Sequence, residues 1–165
     1  MENKKLKIER IFDSPVEKVW AAWTEPEMVK KWWGPVNFSS PIVEIDFRVG
    51  GKYLLCMLGE IPGMGHTKAW NTGIYKEIVP MKKIVVEDSF SNEHGEIVSA
   101  EEYGMKGFPL KLDLTITFEE IENEKTKLTL DYPSVGTIND FTYGNMSLGW
   151  NQSFDKLAKA LKGGE

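Results

Sequence analysis

Ser14-Pro15-Val16-Glu17-Lys18-Val19-Trp20-Ala21-Ala22-Trp23-Thr24-Glu25-Pro26 and, a few residues on, Lys31-Trp32-Trp33-Gly34-Pro35 decide how this chain folds. Val16, Val19, Trp20 and Trp23 recur at i, i+3, i+4 and i+7, the stripe of an amphipathic helix. Ser14 is predicted as its N-cap, with Pro15 at the first helical position and Glu17 three residues after the cap. Thr24-Glu25-Pro26-Glu27 repeats the signal, so a second short helix runs to about Trp32, where Gly34-Pro35 ends it. Four of the six tryptophans fall between Trp20 and Trp33. So much aromatic surface in one short segment must roof something large and apolar.

Working outward from that roof, the flanking sequence reads as strands. Residues 4–12 alternate as a first strand, and residues 38–49 as a second. Gly50-Gly51 predicts a two-residue hairpin into residues 52–58. Residues 69–79 and 83–90 form the next pair, joined at Pro80-Met81-Lys82. Leu110, Leu112, Leu114, Ile116 and Phe118 alternate with polar residues in the clearest half-buried strand, and Asn123-Glu124 turns it into residues 126–132. Residues 138–161 predict a long helix carrying Met146, Trp150, Phe154, Leu157 and Leu161 on one side. The expected architecture is α+β: a curved antiparallel sheet of about seven strands wrapped around a C-terminal helix, with two short helices between the first two strands. Residues 1–165 make one domain, and Gly163-Gly164-Glu165 is expected to fray.

Composition narrows the function classes. A net charge of −5 argues against nucleic acid and against an anionic membrane surface. Cys56 is the only cysteine, so no internal disulfide forms. No stretch is apolar enough for membrane insertion or a signal-peptide core, so a cytoplasmic location is expected. His66 and His94 fall in Gly-rich or polar segments with no neighbour at metal-ligand spacing, and no phosphate loop, dinucleotide fingerprint or nucleophile elbow occurs. The expectation is therefore no metal and no cofactor.

The order of elements resembles the START-like, or SRPBCC, superfamily with its helix-grip fold. The matching pieces are Ser14-Pro15 before Val19-Trp20, Trp23-Thr24 before Pro26, and Trp32-Trp33-Gly34-Pro35. They continue with Asp46-Phe47-Arg48-Val49-Gly50-Gly51, Gly73-Ile74-Tyr75-Lys76-Glu77-Ile78, Thr126-Lys127-Leu128-Thr129-Leu130 and Gly149-Trp150-Asn151-Gln152-Ser153. The nearest branch resembles the C-terminal domain of the activator of the heat-shock protein 90 ATPase. The superfamily includes lipid and hormone carriers, polyketide cyclases and aromatases, and chaperone co-factors, so the resemblance implies a fold and leaves function to the site.

The candidate site is a cavity between sheet and last helix. Its expected walls are Trp23 and Trp33, Tyr53 and Met57, Trp70, and Phe141, Met146 and Trp150, with Phe47 near the base and Phe90 and Phe108 flanking the mouth. For the tryptophans and the first half of the last helix, plain core packing is the competing reading. Gly144 and Gly149 imply either close approach of the sheet backbone or a helix thinned beside a cavity. Arg10, in register with Ile8 and Phe12, either meets a carboxylate or sits at a wet end of its strand. A ligand's polar end is expected near Arg10 or Tyr75. The long segment from Ser91 to Pro109, with Tyr103, Met105 and Phe108, is expected to be a lid or a mobile surface loop.

Apolar residues dominate these positions, which points to a non-catalytic carrier or sensor for a small hydrophobic or amphipathic molecule. An enzyme of the polyketide cyclase or hydrolase kind would need an acid or base from Arg10, Glu77, Asp88 or Tyr75. A chaperone-interaction role would predict a solid core and an exposed patch. Whether the chain forms a homodimer is left open.

Overall fold

Strand alternation builds the sheet. In the computed structural model, which describes residues 2–163, seven strands pair antiparallel in the order β1-β7-β6-β5-β4-β3-β2. They are β1 Leu6–Phe12, β2 Ser39–Ile45, β3 Lys52–Ile61, β4 Gly65–Val79, β5 Lys83–Ser91, β6 Leu112–Ile121 and β7 Lys125–Tyr132. The expected fraying at Gly164-Glu165 lies outside the described residues. Leu112, Leu114, Ile116 and Phe118 of β6 are all buried, as are Thr126, Leu128, Leu130 and Tyr132 of β7. One face of the curled sheet is therefore continuous apolar surface, and it needs a cover.

Helices α1 (Val16–Thr24) and α2 (Pro26–Trp32) cover one end, and α3 (Asp140–Leu161) crosses the rest. The Trp32 indole N–H donates to Ala22 O at 2.8 Å, which ties α2 to α1, and Trp32 is fully buried. Trp20 packs edge-on to Phe118 at 5.0 Å and Trp23 at 6.3 Å. Along α3, Phe154, Leu157 and Leu161 are buried, and the Asn139 side chain caps the helix by accepting from Thr142 N. The helix also makes polar contacts: the Lys156 ammonium donates to Pro35 O and Phe38 O, and the Tyr143 hydroxyl to Lys5 O. None of the described helices is long and apolar enough to cross a membrane.

Several local expectations need correction. Ser14 does not cap α1; Pro15 holds the cap position without a side-chain bond. The Ser14 carbonyl instead accepts from the Thr126 hydroxyl at 2.8 Å, which fastens the helix entrance to β7. Thr24 likewise caps nothing, because its hydroxyl bonds back to Trp20 O inside α1; Glu25 is the N-cap of α2, with Pro26 in its first turn. The Gly50-Gly51 hairpin is not a two-residue one. β2 ends at Ile45, Ile45 pairs with Tyr53, and residues 46–51 form a longer loop closed by Gly51 N to Arg48 O. Gly50 has φ +86 within that turn, a conformation that favours glycine. Strands β3 and β4 also run further than expected, to Ile61 and from Gly65, which places His66 in a strand opposite Glu60 rather than in a loop. Leu110 lies outside β6 and is exposed.

Candidate functional site

The space that the tryptophans roof is not filled. A cavity of about 300 Å³, open on one side, lies between the sheet and the first half of α3. A smaller chamber of about 70 Å³ adjoins it, and Trp33, Asp88, Tyr132 and Trp150 belong to the walls of both.

Helical phase decides which residues of α3 face this space. Thr142, Asn145, Met146, Gly149, Trp150 and Ser153 line the outer cavity. Phe141 is one residue, about 100°, round from Thr142, and it stands 77% exposed, so it is not a wall residue. The two helix glycines split as well. Neither meets sheet backbone: a Cβ on Gly144 would have nothing within 4 Å, and one on Gly149 would touch only Pro35.

The structure brings Trp33, Met57, Trp70, Phe90, Phe108, Met146 and Trp150 together around the outer cavity, and Trp23, Trp33, Tyr53, Tyr75 and Trp150 around the inner chamber. Phe47 reaches neither. Because it sits in the long loop after β2, its ring packs on Trp20 at 5.7 Å and Tyr75 at 5.0 Å and closes the core beneath α1. Arg10 is also absent from both walls. It faces the second half of α3, where its guanidinium pairs with Asp155 at 2.7 Å, reaches Asn151 at 3.2 Å and lies over the Phe154 ring. It is therefore not placed to meet a ligand in either chamber.

The acid in the cavity wall is one that the sequence places with Ile84, Val86 and Phe90 on one side of β5. Asp88 lines both chambers. The Tyr53 hydroxyl and Asn71 Nδ2 (3.0 Å) both donate to its Oδ1. None of the described residues donates to Oδ2. The residue is half-buried and open to the cavity, and its partial removal from water pushes the carboxyl pKa from 3.8 up to about 6 against the pull of the two hydrogen bonds. Burial, reinforced by the Asp88 charge, also pushes the Tyr53 and Tyr132 hydroxyls well above their ordinary range, so both stay protonated donors. The indole N–H groups of Trp23 and Trp33 are buried without any acceptor among the described residues.

Tyr53 reaches Asp88 by lying across β4 at Gly73, where a Cβ would overlap the tyrosine ring. Gly73→Ala is therefore expected to displace Tyr53 and cost about 1–3 kcal/mol as an overpacking change. Urea melts measure the loss, and near-UV circular dichroism reports the tyrosine. An unchanged stability would mean that the ring is not held there.

The long segment after β5 is anchored rather than loose. Tyr103, in a 3-10 turn at Ala100–Tyr103, donates to Ser91 O at 2.6 Å and accepts from Trp70 N at 3.1 Å. It thereby clips the turn to the ends of β4 and β5. The Phe108 ring packs at a tilt on Phe90, 5.5 Å between centroids, and Met105 and Phe108 complete the cavity wall. Among the described residues, no group of three or more His, Cys, Asp or Glu side chains is arranged to hold a metal ion.

The model of the family described as Activator of Hsp90 ATPase homolog 1-like protein matches residues 13–162. Among solved structures, a protein from Chromobacterium violaceum is 26% identical, with a TM-score of 0.73 over 95% of this chain and 96% of that one. A protein from Arthrobacter aurescens is 25% identical, with a TM-score of 0.74 over 98% and 91%. The AHSA1 protein from Silicibacter pomeroyi, 19% identical, shares the fold at a TM-score of 0.71 over 96% and 98%. No curated protein matches the sequence.

Proposed function

The chain belongs to the Activator of Hsp90 ATPase homolog 1-like family, within the START-like superfamily, and on that premise we propose that it holds a small, largely apolar molecule between sheet and α3. The reading is of a non-catalytic carrier or sensor. The observation that carries it is the cavity itself: about 300 Å³ of space whose walls are mostly apolar and include six aromatic and three methionine side chains, with a single carboxyl. A chain that needed only a stable core would gain by closing such a space, since unfilled apolar volume forfeits packing energy. Methionines at positions 57, 105 and 146 suit a wall that adapts to its occupant.

Native mass spectrometry of the protein as purified from cells, followed by solvent extraction, tests this directly. A bound mass lost on extraction is the expected result. A protein that carries nothing and gives no change in tryptophan fluorescence with 2-methylnaphthalene would overturn it. Met146→Trp supplies the matching variant. The indole should occupy the outer cavity and abolish 2-methylnaphthalene binding while stability moves by about 1 kcal/mol or less. A cost above about 3 kcal/mol, as in a core that is already full, would mean the space is not there to fill.

Asp88 favours one second reading. A carboxyl pushed to about 6 inside an apolar chamber is matched to proton transfer near neutral pH, as an enzyme on an aromatic substrate would need. Under that reading Asp88→Asn abolishes turnover and leaves binding in place; under the carrier reading there is no turnover to lose.

A further inference from the structure

The chemistry of the cavity walls says which polar group a ligand should carry, and this step rests on the binding reading above. No Lys, Arg or His lines either chamber among the described residues, and Asp88 is the only acid there. The groups facing Asp88 are neutral hydrogen-bond donors: Tyr53 from β3, Asn71 from β4, and Tyr132 from β7 nearby. Both of the first two serve Oδ1, so the open position on the carboxylate is Oδ2. Trp23 and Trp33 also line the inner chamber, but their indole nitrogens expose almost no surface to it. One open acceptor is thus set in walls that are mostly apolar.

We propose that the ligand is uncharged and carries a hydroxyl, which donates to Asp88 Oδ2, so that the cavity selects phenols and alcohols over carboxylates and phosphates. A carboxylate or phosphate would bring a second negative charge beside Asp88 with no cation to offset either. An ammonium would pair with Asp88 but would lose its water in a chamber with a single counter-charge. A hydroxyl supplies the donor that Oδ2 lacks, and it costs far less to desolvate. Its hydrogen bond to an ionised carboxylate is of the stronger, charge-assisted kind.

Four probes with one aromatic body separate these cases: 2-naphthol, 2-methylnaphthalene, 2-naphthoate and 2-naphthylmethylammonium, titrated into the full chain by calorimetry at pH 7.5. The expected result is that 2-naphthol binds at least about tenfold more tightly than each of the others, the effect of one hydrogen bond to a charged group. In Asp88→Asn that advantage should shrink and 2-naphthoate should gain. Equal binding of 2-naphthol and 2-methylnaphthalene would leave the cavity reading standing and overturn the hydroxyl. Preference for the naphthoate or the ammonium would overturn it also. If none of the four binds, the cavity reading falls and the selectivity falls with it. Unaltered selectivity in Asp88→Asn would remove Asp88 from the role.

Discussion

Phe154→Ala should lower the unfolding free energy by about 3–5 kcal/mol, the range for removing a fully buried aromatic ring. Phe154 has no exposed surface, and its ring meets Phe12 at 5.9 Å, Trp150 at 5.7 Å, Trp23 at 6.3 Å and Trp32 at 6.4 Å. These partners come from β1, α1, α2 and α3, so one side chain joins the sheet edge to all three helices. Trp32 is anchored by its bond to Ala22 O and will not collapse into the hole. Arg10 adds to the cost, because its guanidinium lies over the same ring. Urea melts measure the change, and a loss under about 1 kcal/mol would show that the helix is not packed on the sheet in this way.

That ring was legible because helical spacing alone aligns it with Trp150, Leu157 and Leu161. The sheet was legible for the same kind of reason: the alternation from Leu112 to Phe118 fixes which side of β6 is buried, and a strand has only two sides. What periodicity cannot supply is phase at an element's edge. Phe141 begins α3, where one residue turns a side chain about 100°, and it points to solvent while Thr142 takes the cavity side. Loop length was hidden too. Gly50-Gly51 signals a tight turn, but Gly50 serves a turn inside a six-residue loop, and that extra chain carries Phe47 under α1 and away from the cavity.

Charged residues were the hardest to place, because their partners are distant in sequence. Arg10 finds Asp155, 145 residues away, and nothing local announces the pairing. Asp88 is different: it shares a parity with Ile84, Val86 and Phe90, so its inward direction follows from strand alternation. Its importance did not follow, since only the third dimension brings Tyr53 and Asn71 to its Oδ1 and leaves Oδ2 free.

Asp88→Asn should stabilise the protein at pH 7.5 and lose that advantage in acid. Burial pushes the folded-state pKa from 3.8 up to about 6, so between those values the folded chain binds more protons than the unfolded one. Stability from this group is therefore fully present below about pH 4 and is lost as pH rises through 6. At 1.36 kcal/mol per pH unit the loss is about 3 kcal/mol, an upper figure because cavity water will relieve part of it. Asparagine has no charge to bury and keeps an oxygen for Tyr53 and Asn71, although its new N–H₂ group needs an acceptor that the site does not provide. The two effects set the expected gain over the natural protein at about 1–2 kcal/mol at pH 7.5. At pH 4, where Asp88 is protonated in the folded protein, only the cost of the amide remains and the variant should be the less stable of the two. Urea melts of both proteins at pH 4, 5, 6 and 7.5 follow the crossover. A difference that does not change across this range would mean that Asp88 is hydrated in the folded protein, and that the cavity floor is wet polar surface rather than a buried acceptor awaiting a donor.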